Sequence, residues 1–200
     1  ITIWDTNGRR IPAQIPFYDG TVKDVDQMFD LLEGYLSQLG ITKASRVQFA
    51  ADGDKKLWPR FQAMANRLGL PRDRLFQIID YPHAVQHLWQ VMDLKTGLSR
   101  AEKEKWIAEA KALLFQDKVD EVIDWIHLLA RGRNATKIRK KAEYFIRYRD
   151  KMAYGTQKAN GLPIGTGVVE SAIRRVVNLR LKSVGTFWKK DRLEGYFMLR

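Results

Sequence analysis

The 200-residue sequence has no cysteine and no long apolar run, and each absence excludes a class of protein. Without cysteine there can be neither a disulfide framework nor a thiolate metal site, which agrees with a reducing compartment. No apolar run approaches the roughly 18 residues of a membrane-spanning helix, and no secretory signal pattern opens the chain. We therefore expect a cytoplasmic protein without a membrane partner. A hydrophobic content of 45% excludes a disordered chain.

Acidic residues are scarce in the last third of the chain. Residues 1–130 carry 17 Lys and Arg against 18 Asp and Glu, whereas residues 131–200 carry 18 against 5. The net charge of +12 therefore belongs to the last third alone. An uneven surplus of this kind favours a surface that binds polyphosphate such as nucleic acid, although a basic face can also simply be solvated.

Turn signals and periodicity predict an α/β fold over the first hundred residues. The opening segment ITIWDTNGRRIPAQIPF is typical of a β-hairpin, because Asn-Gly accepts positive φ at little cost. A helix that Gly40 ends, and a second over LWPRFQAMANRLGL, alternate with strands Val47–Ala51 and Leu75–Ile79. Helical crossovers imply parallel pairing of these strands, so the added hairpin predicts a mixed sheet.

From about Ser99 to Tyr154 only helical patterns occur. Ser99 and Glu102 form a capping box, and three apolar stripes predict three helices, the third with many Lys and Arg on its other faces. The predicted domains are an α/β core over residues 1–98, a helical insertion over 99–157 and a return to the core over 158–200.

Carboxylates follow the ends of both predicted strands. Asp52 comes directly after the first in AADGDKK, and Asp80 follows the second in IIDYPHAVQHL. The carboxyl ends of strands form the usual binding edge of an α/β sheet, but Asp-Gly also makes a simple turn. His83 and His87 have an i,i+4 spacing that suits zinc, yet His127 is the only other histidine and its spacing does not favour a zinc site.

The segment IGTGVVESAIRRVVNLRLK, residues 164–182, holds a single carboxylate, Glu170, on a predicted helix rich in cations. At about 100° per residue, Glu170 lies at the edge of the apolar arc of this helix. One interpretation is an i,i+4 ion pair with Arg174, worth about 0.2–0.5 kcal/mol. The other is a functional carboxylate directed at the edge of the sheet. The residue types alone leave both open.

Three segments in this order resemble bacterial insertion-sequence transposases of the DDE type, in the branch related to Mutator-like transposases. They are ADGDKKLW, DYPHAVQHL and LPIGTGVVESAIRRVVNLRLKSVGTFW, and the resemblance runs from the hairpin to the region of Trp188. Its most specific part is G-x-G-x-VES-x-x-RRVVN-x-R. The resemblance implies a ribonuclease H-like fold in which three acidic residues bind two Mg²⁺ ions. It also implies that the third acid lies at the start of a helix that follows an α-helical insertion.

The resemblance assigns roles to individual residues. Asp52 matches the second acid and Glu170 the third, so both are expected to be catalytic and to bind Mg²⁺, for which Mn²⁺ can substitute. Asp80, His83 and His87 match the family's His-containing motif, for which a supporting role is implied. Two Mg²⁺ ions about 3.5–4 Å apart can activate the attacking oxygen and stabilise the leaving oxygen of an in-line displacement at phosphorus.

The family's first aspartate has no match, because Asp5 lies in the hairpin turn. We expect that aspartate and its strand to precede Ile1, so that this piece is inactive alone; a defective protein is the alternative. With two acids only, metal binding should be weak.

DNA, as transposon ends and target, is the implied partner, together with a homo-oligomeric active complex associated with the nucleoid. The residues expected to bind DNA are Arg174, Arg175, Arg180, Lys182 and Trp188. Trp188 could stack on a base, although a core position is the commoner fate of tryptophan. The alternative functions are a non-catalytic nucleic-acid-binding remnant and a ribonuclease H-like nuclease.

Overall fold

The computed structural model describes residues 7, 9, 21, 23–167, 174, 189, 192, 193 and 195. Over these residues the chain is a mixed α/β protein in which helices predominate. The helices are α1 (Val25–Gln38), α2 (Leu57–Arg67), α3 (Tyr81–Leu94), α4 (Arg100–Phe115), α5 (Val119–Leu129), α6 (Ala135–Tyr148) and α7 (Tyr154–Ala159), and the strands are β1 (Val47–Ala51) and β2 (Leu75–Ile79). Within the described ranges, no helix has the length and apolarity to cross a membrane.

The chain divides into two compact units. The first comprises Ile1–Val47, Lys56–Leu75 and Thr166–Arg200, and the second comprises Gln48–Lys55 and Phe76–Gly165. Of the predicted opening hairpin, only Asn7 and Arg9 are among the described residues.

In the first unit, α1 packs on α2 through aromatic side chains. The rings of Phe29 and Phe61 meet edge to face with their centroids 5.0 Å apart. Asp24 caps the start of α1 by accepting a hydrogen bond from the backbone N–H of Gln27. Beyond its end, Gly40 has φ 64°, a left-handed conformation that favours glycine, which confirms the predicted stop.

In the second unit, β1 and β2 pair as a small parallel sheet, although the first residue of each strand belongs to the first unit. Alternate side chains of β1 are buried, at Val47, Phe49 and Ala51. The predicted bounds of both strands and their parallel pairing are confirmed.

The core of the second unit lies among its helices, where α6 packs against both α5 and α3. The side chains that are fully buried there include Leu88, Leu114, Val122, Ile126, Ile138 and Phe145. Both hydrogen bonds of the Ser99–Glu102 capping box are present at the start of α4, as predicted. The carboxylate of Asp117 accepts hydrogen bonds from the backbone N–H groups of Gly155 and Thr156, and so fixes the start of α7.

Candidate active site

Two carboxylates occupy the edge of the sheet at the carboxyl ends of β1 and β2. Asp52 is exposed, and its Oδ1 accepts a hydrogen bond of 3.0 Å from the backbone N–H of Asp54. Asp80 is only 1% exposed and caps α3 by accepting from the backbone N–H of His83 at 3.2 Å. The backbone N–H of Asp80 donates to the carbonyl of Ala51 at 2.9 Å. The strand ends therefore place one solvated and one buried carboxylate side by side.

The segment that returns from the helices is anchored at the same edge. The backbone N–H of Tyr81 donates to the carbonyl of Ile164 at 3.0 Å, and the side-chain amide of Gln48 donates to the carbonyl of Pro163 at 2.9 Å. A Cβ on Gly165 would lie 3.5 Å from a carboxylate oxygen of Asp80. Gly165 therefore lies against Asp80. In the sequence, Gly165 is five residues before Glu170.

A layer of tyrosine and histidine rings backs this edge. The rings of His87 and Tyr144 are stacked, with centroids 3.6 Å apart and planes 14° from parallel. The hydroxyls of Tyr81, Tyr144 and Tyr154 and the Nδ1 of His87 are buried without a hydrogen-bond partner within the described part of the chain. Burial, followed by the nearby Tyr148, Asp52 and Asp80, raises the pKa of Tyr144 well above its ordinary value. This phenol therefore stays protonated beside the two carboxylates.

The two histidines of α3 differ in environment. The side chain of His83 is 44% exposed, with its Nδ1 3.6 Å from a carboxylate oxygen of Asp80. Burial, with smaller effects from Lys141 and His83, lowers the pKa of His87 to about 4. Among the described residues there is no group of three or more His, Cys, Asp or Glu side chains that could hold a metal ion.

The His87 pKa predicts a pH dependence of stability. His87 resists protonation in the folded state until about pH 4, whereas in the unfolded chain it protonates near pH 6.5. Its contribution to the free energy of unfolding is therefore fully present above pH 6.5 and is lost as the pH falls to about 4. In the variant His87→Phe, the free energy of unfolding should fall less steeply over this pH range. Urea unfolding at several pH values between about 4 and 7.5 measures it. An unchanged slope in His87→Phe would show that other groups cause it, and His127→Phe serves as the control.

Helix α6 and the loop before it are rich in cations. Six exposed cations there form no ion pair with any described residue: Arg131, Arg133, Lys137, Arg139, Lys140 and Arg147. Lys137, Lys140 and Arg147 lie within about 60° of Tyr144 around the helix. The three cations therefore share one side of α6 with Tyr144, whose ring contacts Gly53, the residue after Asp52.

The predicted site residues fall into two groups. The structure brings Asp52, Asp80 and His83 together at one sheet edge, places His87 behind it against the ring of Tyr144, and shows Arg174 exposed to solvent. The others lie outside the described residues, namely Glu170, Arg175, Arg180, Lys182 and Trp188. The sequence does not identify the tyrosines of α6 and α7 as site residues, because their spacing is that of an ordinary apolar stripe.

No protein-family model matches the chain. No curated protein and no solved structure matches it either. Its function is therefore proposed from its own residues and their geometry.

Proposed function

We propose that this chain belongs to the catalytic core of a DDE-type DNA transposase, with a ribonuclease H-like fold, that cuts and joins DNA strands at transposon ends with Mg²⁺. The observation that carries the proposal is the position of Asp52, an exposed carboxylate at the carboxyl end of a strand. The chain also returns to this edge shortly before Glu170 in the sequence. The family resemblance implies the same order, with the third acid following the helical insertion.

The proposed metal site uses Asp52 and Glu170. Asp52 fits the requirement because its carboxylate is exposed and pairs with no cation in the described ranges. Magnesium favours such oxygen ligands and usually takes only one or two carboxylates, with phosphate and water completing its shell. Asp80 fits less well, since it is buried and already caps α3, so we give it a supporting role. When bound, the ions would activate the attacking oxygen and stabilise the leaving one.

The cations of α6 support DNA as the partner. Lys137, Lys140 and Arg147 are exposed and share one side of α6 with Tyr144, whose ring contacts Gly53 next to the proposed metal ligand Asp52. Phosphates next to a cut site would lie on this side of the helix. Contacts between cations and phosphates give strongly salt-dependent affinity that is largely independent of sequence. These residues add to the predicted set that includes Arg174.

Removing two of these cations should weaken DNA binding measurably. The double variant Lys140→Gln/Arg147→Gln is expected to lower the slope of log affinity against log salt by about 1.8, or about 0.9 for each lost phosphate contact. Fluorescence anisotropy with a labelled random-sequence duplex between about 50 and 200 mM salt measures this slope. The matched control is Lys103→Gln/Lys105→Gln on α4. Equal losses in both double variants would mean that the net charge, not the α6 face, decides binding.

A cleavage assay tests the proposed reaction itself. The protein as encoded is incubated with Mg²⁺ or Mn²⁺ and a supercoiled plasmid that carries its gene with flanking DNA. Wild type should give breaks at the element's ends and joined products, and Glu170→Gln should give neither. Breaks without joined products would favour a nuclease, and DNA binding without breaks would favour a non-catalytic remnant. Equal cleavage by both proteins would remove Glu170 from the active site.

A further inference from the structure

Two tyrosines of α6 hold the loop that carries Asp52. The hydroxyl of Tyr148 donates a hydrogen bond of 2.8 Å to the carbonyl of Gly53, the residue after Asp52. The ring of Tyr144 lies so close to Gly53 that an added Cβ would be 2.4 Å from its Cε2 atom. Gly53 does not have a positive φ, so it is the contact with Tyr144, not the backbone conformation, that requires glycine here.

The two rings have little room to yield. Tyr144 is stacked on His87 of α3 on one side and meets the ring of Tyr148 edge to face at 5.4 Å. Tyr148 itself is only 4% exposed. A hydrogen bond of 2.6 Å from Lys141 to the side chain of Gln90 further joins α6 to α3. The surface against which Gly53 rests is therefore fixed by two packed helices.

The loop that carries Asp52 is largely exposed, unlike these packed helices. Asp52 is exposed, and its side chain accepts a hydrogen bond from the backbone N–H of Asp54, within the same turn. Metal ligands must be held to within about 0.5 Å by their supporting residues. The bond from Tyr148 reaches Gly53 across 95 residues of sequence and supplies a tertiary tether one residue from the carboxylate.

We infer that Tyr148 and Tyr144, acting on Gly53, are positioning residues that fix the Asp52 carboxylate for metal binding, so that the helical insertion is part of the support of the metal site. This inference rests on the proposed function. In it, Tyr148 acts through its hydroxyl and Tyr144 through its ring, because the buried Tyr144 hydroxyl has no hydrogen-bond partner among the described residues.

The test combines Mn²⁺ affinity with amide exchange in the Tyr148→Phe variant of the protein as encoded. Removing a hydrogen bond that orients a ligand typically costs about 10- to 100-fold in metal affinity, so Mn²⁺ should bind at least about tenfold more weakly. The backbone N–H of Asp54, which donates to Asp52, should exchange about fivefold faster or more. Gly53→Ala should weaken Mn²⁺ binding as well. The control is Tyr154→Phe, which removes a fully buried hydroxyl that has no partner in the described part of the chain, and it should change neither readout.

The outcomes separate this inference from the proposed function. Weaker Mn²⁺ binding and faster Asp54 exchange in Tyr148→Phe, with an unchanged unfolding midpoint, would support the inference. Wild-type readouts in Tyr148→Phe, while Asp52→Asn loses Mn²⁺, would overturn it and leave the function standing. If Asp52→Asn binds Mn²⁺ as wild type does, the proposed function fails, and the exchange rate of the Asp54 amide alone then decides whether the tyrosines hold the loop.

Discussion

The variant Asp52→Asn is expected to lose metal-dependent DNA cleavage, with a rate at least about 100-fold below wild type. The expected loss is this large because changes to residues that merely support a metal ligand already cost about 10- to 100-fold, and Asp52 is proposed as a ligand itself. The neutral amide removes the charge that attracts Mg²⁺ but keeps the shape of the side chain. Cleavage of the plasmid substrate by the protein as encoded, at saturating DNA, measures the loss.

Asp54→Asn is the matched control for this prediction. It changes the charge by the same amount in the same exposed loop, and its backbone N–H can still donate to Asp52. We expect it to keep cleavage within a few-fold of wild type. Because both side chains are exposed, neither variant should change the free energy of unfolding by more than about 0.5 kcal/mol. A comparable loss in both variants would mean that loop charge, not a specific ligand, sustains cleavage.

The variant Phe145→Ala is expected to lower the free energy of unfolding by about 3–5 kcal/mol. Phe145 is fully buried in α6, where its ring meets that of Tyr144 edge to face at 5.4 Å. Truncation removes the buried ring and leaves a cavity in the core of the second unit. Since domains are stable by only about 5–15 kcal/mol, the change is a large share of the total.

Urea unfolding followed by circular dichroism measures this loss, with Ile146→Ala as control. Ile146 is the next residue on the same helix, but it is 45% exposed, so its truncation should cost far less than that of Phe145. Similar destabilisation by both variants would contradict the packing described for α6.

The strands were predictable from sequence because their environments are simple. In β1 the alternation of buried and half-buried residues follows the apolar pattern directly, and the acidic turn at Asp52 marks its end. The start of α6 was less predictable. The sequence ARGRNATK predicts a loop, yet the helix begins at Ala135 within it. Asn134 does not cap α6 through its side chain, and its amide nitrogen donates to the carbonyl of Leu94 at 2.7 Å.

In the candidate site too, some features could be predicted from the sequence and others could not. The rule that carboxylates at strand ends share an edge was enough to bring Asp52 and Asp80 together. The role of Tyr148 could not be read from the sequence, because its partner, Gly53, is 95 residues away and its spacing from Tyr144 is that of a core stripe. The Asp-Gly pattern predicts a turn glycine at Gly53, whereas contact with a tyrosine ring explains this glycine better. The metal-binding role of Glu170 stays a prediction, as that residue lies outside the described part of the chain.

Iron-mediated cleavage of the polypeptide tests the central claim most directly, since the claim is that Asp52 and Glu170 bind the same divalent ions. Fe²⁺ replaces Mg²⁺, and ascorbate with hydrogen peroxide then generates radicals that cut the backbone next to the bound metal. Mass spectrometry of the fragments should show cuts near both Asp52 and Glu170, and Asp52→Asn should lose both sets together. Cuts near only one of the two residues, or cuts near Glu170 that persist in Asp52→Asn, would contradict a shared metal site.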